Sequence, residues 1–472
     1  MKKAMAILLS VVLLVGMLAG CGSSAGSTGT TDSSTATGSS SSSGAAATSA
    51  PSVSTGTTTV AMTDSKEDRP DLDATVLIYG NANNDAYVAE DDVAFLEEIV
   101  SGSKTWDKEE NPMADTDCDG EITQNDVDLL KKIINKETCE VFIKNYYGEV
   151  QKMHFPLTNR KICVTYAQCR DAIAILDHWD DVVVVNESVP DRSPANIDFS
   201  QYGHIGTTGS SAVGDTDVEV MLNYDVDFIV AIPRTDGTKE ILDKYAAAHD
   251  ADVFYCMYGE SAVSTILTLG VLMDARENAL NYVKYREAVK ARISEGMKNV
   301  APVKLAEIRF NLNEAKEAWY LGVDDRAPDH EVLSLLGELY DGDDGNTFGE
   351  ATRSKEFFIA QDADYIVQLE IGTKFTAPSE INERFETNVN ILKGTRAYDE
   401  GHVIGVSYDQ MSSFGNFANG LVVAHLLYPE EFSLEEAVST LQDWFDEFTP
   451  FEVDVAGGDY WYMYTGNGFP SK

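Results

Sequence analysis

The sequence predicts an α/β protein in which two parallel-sheet lobes are joined by one long helix, preceded by a small all-α module. Strands alternate with helices from residue 160 to 255 and again from 304 to 448, a pattern typical of parallel sheets covered by helices. The stretch 274–297 between these runs has helical periodicity. A loop pattern also occurs twice between residues 74 and 137. These three observations set the expected order of the domains.

The long stretch is predicted to be an amphipathic helix from Asp274 to Met297. Its buried positions recur every three or four residues, at Ala275, Ala279, Tyr282, Arg286, Val289, Ile293 and Met297. Asp274 is expected to cap its start, and Gly296 and Pro302 to stop it. Such a helix is about 35 Å long. Periodicity alone favours a surface helix of one domain; the position of the stretch between two α/β runs favours instead a connector, residues 274–298, between lobes 138–273 and 299–472.

The amino terminus has the pattern of an export signal over residues 1–20: two lysines, then an apolar run to Leu18. The residues Leu18-Ala19-Gly20 before Cys21 resemble the bacterial lipoprotein signal, which implies cleavage before Cys21 and a lipid anchor on it in the membrane. An ordinary signal with a chance cysteine is the alternative. Residues 21–73 are mostly Gly, Ser and Thr, and are predicted to be a flexible tether with a reach of roughly 35 Å.

Composition excludes one class of partner. The chain has 78 acidic and 35 basic residues, a formal charge of −43, which repels nucleic acid and anionic lipid. This negative charge is compatible with binding of cations.

Five cysteines follow Cys21, at Cys118, Cys139, Cys163, Cys169 and Cys256. Their odd number and spacing predict neither a zinc site nor a disulfide framework, so one bridge or none is expected.

The second copy of the loop pattern has the spacing of a Ca²⁺ loop. Carboxylates at its first, third and fifth positions converge on a cation only if the chain turns sharply, which Gly120 permits at the sixth position. The predicted ligands are Asp115, Asp117, Asp119, Glu121 (through its carbonyl), Thr123 and Asp126. A solvated acidic turn without metal is the alternative.

The first copy lies thirty-four residues earlier, and its equivalent positions are Asn81, Asn83, Asp85, Tyr87 and Asp92. It has one carboxylate among its first three ligand positions, so weaker Ca²⁺ binding is expected. The two repeats over residues 74–137 resemble the dockerin domain, which implies a cohesin-like partner on the cell surface. Dockerins often carry Ser-Thr at the docking positions, whereas this chain has Glu90-Asp91 and Gln124-Asn125. Ordinary cohesin binding is therefore not expected.

Ligands of parallel α/β sheets usually bind where strands end. Arginine suits anionic oxygens and aromatic rings suit the flat face of a chelate, although exposed arginines and tyrosines are also common in loops. The residues just past the predicted strand ends are Tyr166, Gln168, Arg170, Thr207, Thr208, Ser210, Arg234, Thr235, Tyr258, Trp319, Arg326, Tyr408 and Phe414.

Three segments carry a family resemblance. Residues 217–230 (DVEV to DFIV), 354–367 (SKE to DYIV) and 424–432 (AHLLYPEEF) are similar to segments of substrate-binding proteins of ABC importers for ferric siderophores, haem and cobalamin, over roughly residues 138–450. The resemblance implies a two-lobe, non-enzymatic protein outside the cell membrane that passes a small metal chelate to an ABC permease. In it, Glu219 and Glu356 fall on the acidic residues, one per lobe, that meet permease arginines.

Two departures keep ligand identity open: residues 336–339 replace a usual Gly-Gly turn, and residues 341–344 make the next loop unusually acidic. The alternative function is a dockerin-bearing component, enzymatic or scaffolding, of a surface polysaccharide-degrading complex. No hydrolase elbow, zinc-protease helix or P-loop occurs in the sequence. The acidic residues at matching places in both lobes favour the importer.

Overall fold

The computed structural model describes most of the chain from residue 69 onward. The described residues are 69–193, 198–206, 213–232, 237–256, 261–309, 319–322, 328–339, 350–353, 355–370, 385, 389–459 and 462–464. All of them fall in one compact unit, Ser54–Lys472. Across these ranges, none of the helices combines the length and the apolar character that crossing a bilayer requires.

Two loop–helix repeats open the described chain. Helices α1 (Glu90–Val100) and α2 (Gln124–Ile134) each follow a twelve-residue loop, which we call loop 1 (81–92) and loop 2 (115–126). The last residue of each loop, Asp92 or Asp126, is fully buried and accepts two backbone N–H groups near the loop start and one just before its helix. Both loops therefore close in the same way.

A β-hairpin links this loop–helix module to the rest of the chain. Strands β1 (Cys139–Lys144) and β2 (Val150–Phe155) pair antiparallel, as the short extended pair in the sequence predicts. Ile78, on the segment entering loop 1, adds an antiparallel bridge to Ile143. The hairpin thus pairs on one side with the module.

The first lobe contains a five-stranded sheet in the order β5-β4-β3-β6-β7, parallel throughout. Its strands are short and buried, which is why they read as apolar runs rather than as alternating patterns. The elements in chain order are β3 (Ile162–Val164), α3 (Ala167–Ile175), β4 (Val182–Asn186), α4 (Ser188–Asp191), β5 (Gly203–Ile205), α5 (Asp215–Asn223), β6 (Phe228–Ala231), α6 (Thr238–His249), β7 (Asp252–Tyr255) and α7 (Ala262–Leu272). A 3₁₀ turn, Trp179–Asp181, precedes β4.

Helix α8 (Arg276–Met297) follows the first sheet in the chain and precedes the second, within the stretch that was expected to connect the lobes. The expected caps were wrong. Asp274 has a left-handed backbone (φ 58°) and belongs to the turn that ends α7, so α8 begins two residues later. Gly296 lies inside α8, where an added Cβ would come within 2.4 Å of the Phe432 ring. It is needed for close packing rather than for stopping the helix.

The second lobe contains a seven-stranded sheet in the order β11-β9-β8-β12-β13-β14, with β10 also paired to β8. Its elements are β8 (Val303–Arg309), β9 (Trp319–Gly322), α9 (Pro328–Leu336), β10 (Gly337–Leu339), β11 (Glu350–Arg353), α10 (Lys355–Gln361), β12 (Tyr365–Glu370), α11 (Arg396–Asp399), β13 (Val403–Ser407), α12 (Tyr408–Met411), α13 (Asn416–Leu427), α14 (Leu434–Phe448) and β14 (Tyr462–Tyr464). A 3₁₀ turn, Asn390–Leu392, and a π-helical turn, Val455–Asp459, complete the list.

The expectation of an all-parallel second sheet was wrong. Strands β10, β8, β12 and β13 are mutually parallel, but β9, β11 and β14 pair antiparallel with their neighbours. Two short strands were also missed. Gly203–Ile205 lies where a polar loop was expected, and Gly337–Leu339 replaces the end of a predicted helix. A Cβ on Gly337 would lie 2.5 Å from the Val303 carbonyl, so this strand needs a glycine.

Candidate functional site

The carboxyl ends of strands from both sheets bring polar residues together between the lobes. Arg192 ends the short helix α4 that follows β4, and Tyr166 caps α3 after β3. From the second lobe, Tyr408 and Asp409 begin α12 directly after β13. We call these four residues the interlobe cluster. Because each follows a parallel strand, they occupy the edge where α/β sheets usually bind ligands.

An ion pair joins the lobes in this cluster. Arg192 Nη1 lies 3.0 Å from Asp409 Oδ1, and the two side chains are 16% and 4% exposed. Burial lowers the pKa of Arg192, but the Asp409 carboxylate and the phenols of Tyr166 and Tyr408 raise it above its usual value. The guanidinium therefore stays charged in a site that is largely shielded from water.

The guanidinium of Arg192 also lies over an aromatic ring, 4.7 Å from the centroid of Tyr166. Stacking fixes the plane of an arginine and leaves its fork of donors directed along that plane. Tyr166 and Tyr408 are both partly buried against the core. Two aromatic faces and one planar cation therefore stand at the same junction.

Beside the cluster, one further hydrogen bond crosses between the lobes and another ties α8 to the second lobe. Gln168 donates from Nε2 to the Ser412 carbonyl at 2.7 Å, and Tyr282 of α8 donates to the Phe414 carbonyl at 2.9 Å. The buried Oε1 of Gln168 has no hydrogen-bond partner within the described ranges. The junction thus holds the lobes together and keeps an unused acceptor that a ligand or a water can satisfy.

Arg170 occupies a different place from the expected ligand contact. Its side chain is 5% exposed and pairs with Asp171, while Nη1 donates to the Arg192 carbonyl at 3.0 Å and to Ser193 Oγ at 2.9 Å. Burial raises the pKa of Asp171, and the Arg170 guanidinium partly offsets that effect. Arg170 therefore supports the backbone of Arg192 instead of presenting its donors to a ligand.

The other sequence-predicted contacts are only partly described. Trp319 lies in β9, and Phe414 lies next to α12 with its carbonyl bonded to Tyr282. The residues that lie outside the described part are Thr207, Thr208, Ser210, Arg234, Thr235, Tyr258 and Arg326. Sequence reasoning missed Arg192 and Asp409. The strand-end criterion that selected Tyr408 also selects its neighbour Asp409, whereas the four-residue helix α4 hid Arg192.

Glu219 and Glu356 are both exposed on helices of different lobes. Glu356 is the second residue of α10, as expected for a helix start. Glu219 lies in the second turn of α5, whose first turn contains Asp215 and Asp217 instead. An accessible carboxylate is thus present on each lobe.

Loop 2 brings carboxylates together away from the interlobe cluster. Ligand atoms of Asp115, Asp117 and Asp126 all lie within 4.8 Å of one another. Burial raises the pKa of Asp115; the backbone N–H of Gly120 partly offsets this, and the Asp126 carboxylate raises the pKa further. Such mutual repulsion favours binding of a cation or a proton.

Loop 1 is closed by equivalent hydrogen bonds but has different chemistry inside. Asn81 donates from Nδ2 to the carbonyls of Val76 and Asp85, and Asn83 donates from Nδ2 to Asp85 Oδ2 at 2.9 Å. Burial raises the pKa of Asp92, which closes the loop, to about 7. Amide donors thus occupy positions where loop 2 offers only acceptors.

No protein-family model matches the chain, and no curated protein matches it. Solved structures do. Helicobacter pylori CeuE with Ni(II) bound is 16% identical with a TM-score of 0.52, over 68% of this chain and 100% of that one. The TroA-like periplasmic binding protein FepB from Veillonella parvula is 15% identical with a TM-score of 0.50, over 69% and 99%. The chain therefore has the α/β fold of periplasmic substrate-binding proteins.

Proposed function

We propose that this chain is the substrate-binding protein of an ABC importer and captures a small metal chelate of the ferric siderophore type, or haem or cobalamin. The observation that carries the proposal is the interlobe cluster of Tyr166, Arg192, Tyr408 and Asp409 at the carboxyl edges of both sheets. The protein is proposed to bind and deliver its ligand without chemical conversion.

The chemistry of the cluster fits this ligand class. Planar donors of Arg192 match carboxylate or catecholate oxygens, and the tyrosine rings offer flat surfaces to a chelate ring or macrocycle. Asp409 already neutralises Arg192 at 3.0 Å, so an anionic ligand would compete with it for the same guanidinium. A ligand of this kind gains charge-assisted hydrogen bonds in a site with little water.

The location follows from the amino-terminal sequence and supports the same function. We propose that the protein is held on the outer face of the cell membrane by lipid on Cys21, with residues 22–73 as the tether. FepB from Veillonella parvula, one of the two solved structures described above, is a periplasmic binding protein, which is consistent with an extracytoplasmic position. Mass spectrometry of the amino-terminal peptide tests the lipid. An unmodified Cys21 in membrane-extracted protein would contradict it.

Ligand binding is the first experiment. Native mass spectrometry of the full chain against ferric catecholates, ferric hydroxamates, haem and corrinoids is expected to show a one-to-one complex with one class. A paired variant, Arg192→Gln with Asp409→Asn, should lose that complex, since it removes the cation without leaving its partner charged. Arg160→Gln is the control: this arginine is 17% exposed and pairs with carboxylates at the opposite edge of the same sheet.

Permease docking is the second experiment. We propose that Glu219 and Glu356 meet arginines of the permease, one from each lobe. Exposed pairs contribute only about 0.2–1 kcal/mol each, but two separated pairs fix orientation. Reversing both charges with Glu219→Lys and Glu356→Lys should abolish uptake and leave ligand affinity unchanged. Lost affinity with retained uptake would contradict the docking role.

We also propose that loop 2 binds Ca²⁺ and that loop 1 binds it more weakly. In loop 2 the ligands are Asp115, Asp117, Asp119, Glu121, Thr123 and Asp126, and in loop 1 Asn81, Asn83, Asp85, Tyr87 and Asp92. The convergence of three loop 2 carboxylates supports the first site, and the inward amide donors explain the weakness of the second. Calorimetric titration of the full chain should give one strong site, and Asp117→Asn should weaken it about tenfold. Equal affinity at both loops would contradict this.

The loop–helix module supports one alternative function, membership of a surface polysaccharide-degrading complex with a cohesin-like partner. Hydrolysis of plant glycans by the purified protein, or its capture by a purified cohesin, would favour this alternative. A metal chelate bound by the interlobe cluster would exclude the enzymatic form of it. The charge reversal and the ligand screen above therefore decide between the two functions.

A further inference from the structure

The loop–helix module is built into the body of the protein. The segment that enters loop 1 pairs with the hairpin through Tyr79 N–H to the Phe142 carbonyl at 2.8 Å and through Lys144 N–H to the Leu77 carbonyl at 3.0 Å. Apolar residues of the module and of helices α7 and α8 belong to one continuous core, which includes Ile78, Leu130 and Leu267. A freely pendant docking domain would keep a separate core.

Two hydroxyl groups of α7 hold the entering segment. Ser264 Oγ accepts the Thr75 N–H at 3.2 Å, and Thr268 Oγ1 accepts the Leu77 N–H at 2.9 Å. Thr268 is fully buried. Because a buried backbone N–H requires an acceptor, these bonds fix the position of the module along α7.

The module also holds the turn between α7 and α8, residues 273–275, which we call the elbow. Arg276, the first residue of α8, donates to the Val88 carbonyl at 3.3 Å, and Lys136 forms an ion pair with Asp274. Gly270 allows the two helices to touch, since an added Cβ there would meet the Ala279 Cβ at 2.6 Å. The elbow is thus held from outside by the module and closed from inside by small residues.

Most of α8 is bound to the second lobe instead. Arg286 donates to both oxygens of Glu331 on α9 at 2.6 and 2.8 Å, and Arg292 pairs with Glu436 on α14. Tyr285 donates to the Thr440 carbonyl at 2.6 Å. The second lobe and α8 therefore move together, and the elbow is where that pair meets the first lobe.

We propose that the loop–helix module is a brace on the elbow that restricts movement of the second lobe relative to the first. The partner of the module's inner face is the α7–α8 pair of this same chain. Calcium strengthens the brace, a step that rests on the proposed function of loop 2. The helix that follows that loop, α2, contributes Leu130 and Ile133 to the shared core and leads directly to Lys136.

Hydrogen–deuterium exchange of the full chain tests the brace. The variant Ser264→Ala with Thr268→Val removes both acceptors on α7, and Ser294→Ala, which removes a hydroxyl bonded only within α8, is the matched control. The expected result is at least tenfold faster exchange in both residues 75–80 and the elbow, with α14 unchanged. Faster exchange confined to residues 75–80 would overturn the proposal.

A milder pair covers the case in which that variant does not fold. Lys136, which follows α2, is half exposed, so Lys136→Ala preserves the core, and Lys132→Ala at an exposed position of α2 is its control. Only Lys136→Ala should speed exchange at the elbow; equal effects from both variants would contradict the brace.

Calcium and chelator give a separate comparison. Protection gained in both loop 2 and the elbow supports the link, and protection gained in loop 2 alone overturns it. No change in loop 2 refutes calcium binding and leaves the variants to decide the brace.

Discussion

The first-lobe sheet has a largely buried arginine paired with a carboxylate at its carboxyl edge, where the parallel strands end, and another at its amino edge, where they begin. The two pairs differ in which parts of the molecule they join. At the carboxyl edge, Arg192 lies between an aromatic ring and a carboxylate of the other lobe. At the amino edge, Arg160 lies 3.5 Å from Asp227 and 3.3 Å from Asp252 of its own sheet. The first pair joins bodies that can separate, whereas the second lies within one body.

The amino edge is also tied to the hairpin. His154 of β2 donates its backbone N–H to Asp252 at 3.0 Å, and Gln151 bonds the Val253 carbonyl. Every contact there adds to a fixed structure that continues into the loop–helix module. Because Arg160 and Arg192 are similarly buried and both pair with carboxylates, the proposal that Arg192 binds the ligand rests on the position of its partner in the other lobe.

The largest expected effect is on ligand affinity. Replacing the cluster pair by Arg192→Gln with Asp409→Asn should weaken binding about 10- to 100-fold, because a charge-assisted hydrogen bond contributes about 1.5–3 kcal/mol. Arg160→Gln should change affinity less than about twofold. Isothermal titration with the chelate found by native mass spectrometry measures both. Similar losses of ligand affinity from the two variants would show that the carboxyl and amino edges do not differ in ligand binding.

The next largest effect is expected on the calcium affinity of the loop–helix module, which continues from the hairpin at the amino edge. Asp117→Asn removes one loop 2 carboxylate and should weaken calcium binding about tenfold, whereas Asn83→Asp, its counterpart in loop 1, should strengthen the weaker site. Neither change should alter ligand affinity as much as the cluster pair does. Calorimetric titration with calcium, and then with the metal-chelate ligand, measures both affinities. If loop 2 substitutions lowered ligand affinity as much as the interlobe cluster substitutions do, the two regions would not have separate roles.

A smaller effect is expected on stability at the amino edge. Arg160→Gln removes the guanidinium from Asp252, which is 4% exposed and keeps its bonds to His154, and should lower the free energy of unfolding by about 1–2 kcal/mol. Denaturant unfolding of the full chain measures the change. Lys161→Gln, at an exposed ion pair with Asp225, is the control and should have almost no effect. Equal losses of stability in the two variants would show that burial of an ion pair does not determine how much it contributes to the free energy of unfolding.

The smallest effect is on pH dependence. Burial raises the pKa of Asp115 and Asp117, and the Asp126 carboxylate raises both further. Calcium requires the ionised form, so protons displace it at a higher pH than they would from ordinary aspartates. As pH is lowered, affinity for calcium should therefore begin to fall at a higher pH than it does for a site built from ordinary aspartates, and calorimetry over a pH series measures where the fall begins. A fall that begins only where ordinary aspartates protonate would contradict this prediction.

Local patterns predicted much of the fold. Helices α10, α13 and α14 and strand β13 have the bounds that periodicity indicates, because each is a continuous apolar or amphipathic run with clear ends. The antiparallel strands of the second sheet were not predicted, since a strand's direction depends on pairing with distant residues. The turn at Asp274 was also not predicted, since aspartate is a common N-cap residue and the sequence alone does not distinguish a cap from a turn.

The interlobe cluster, which is the proposed site, lies where strands end, but its residues are only partly those that the sequence indicated. Choosing residues past strand ends selected Tyr166 and Tyr408, which belong to the cluster, and Arg170, whose side chain donates to the Arg192 carbonyl. Which arginine faces the other lobe depends on how α4 turns after β4, and no local sequence signal specifies that. None of the five cysteines among the described residues forms a disulfide, within the range that their number allowed.

The most direct test is a ligand footprint by hydrogen–deuterium exchange on the full chain. If the interlobe cluster binds the chelate, protection should appear in residues 166–170 and 408–412, with the hairpin, residues 139–155, unchanged. Protection of the hairpin without the cluster would contradict the account, as would a bound chelate that protects neither region.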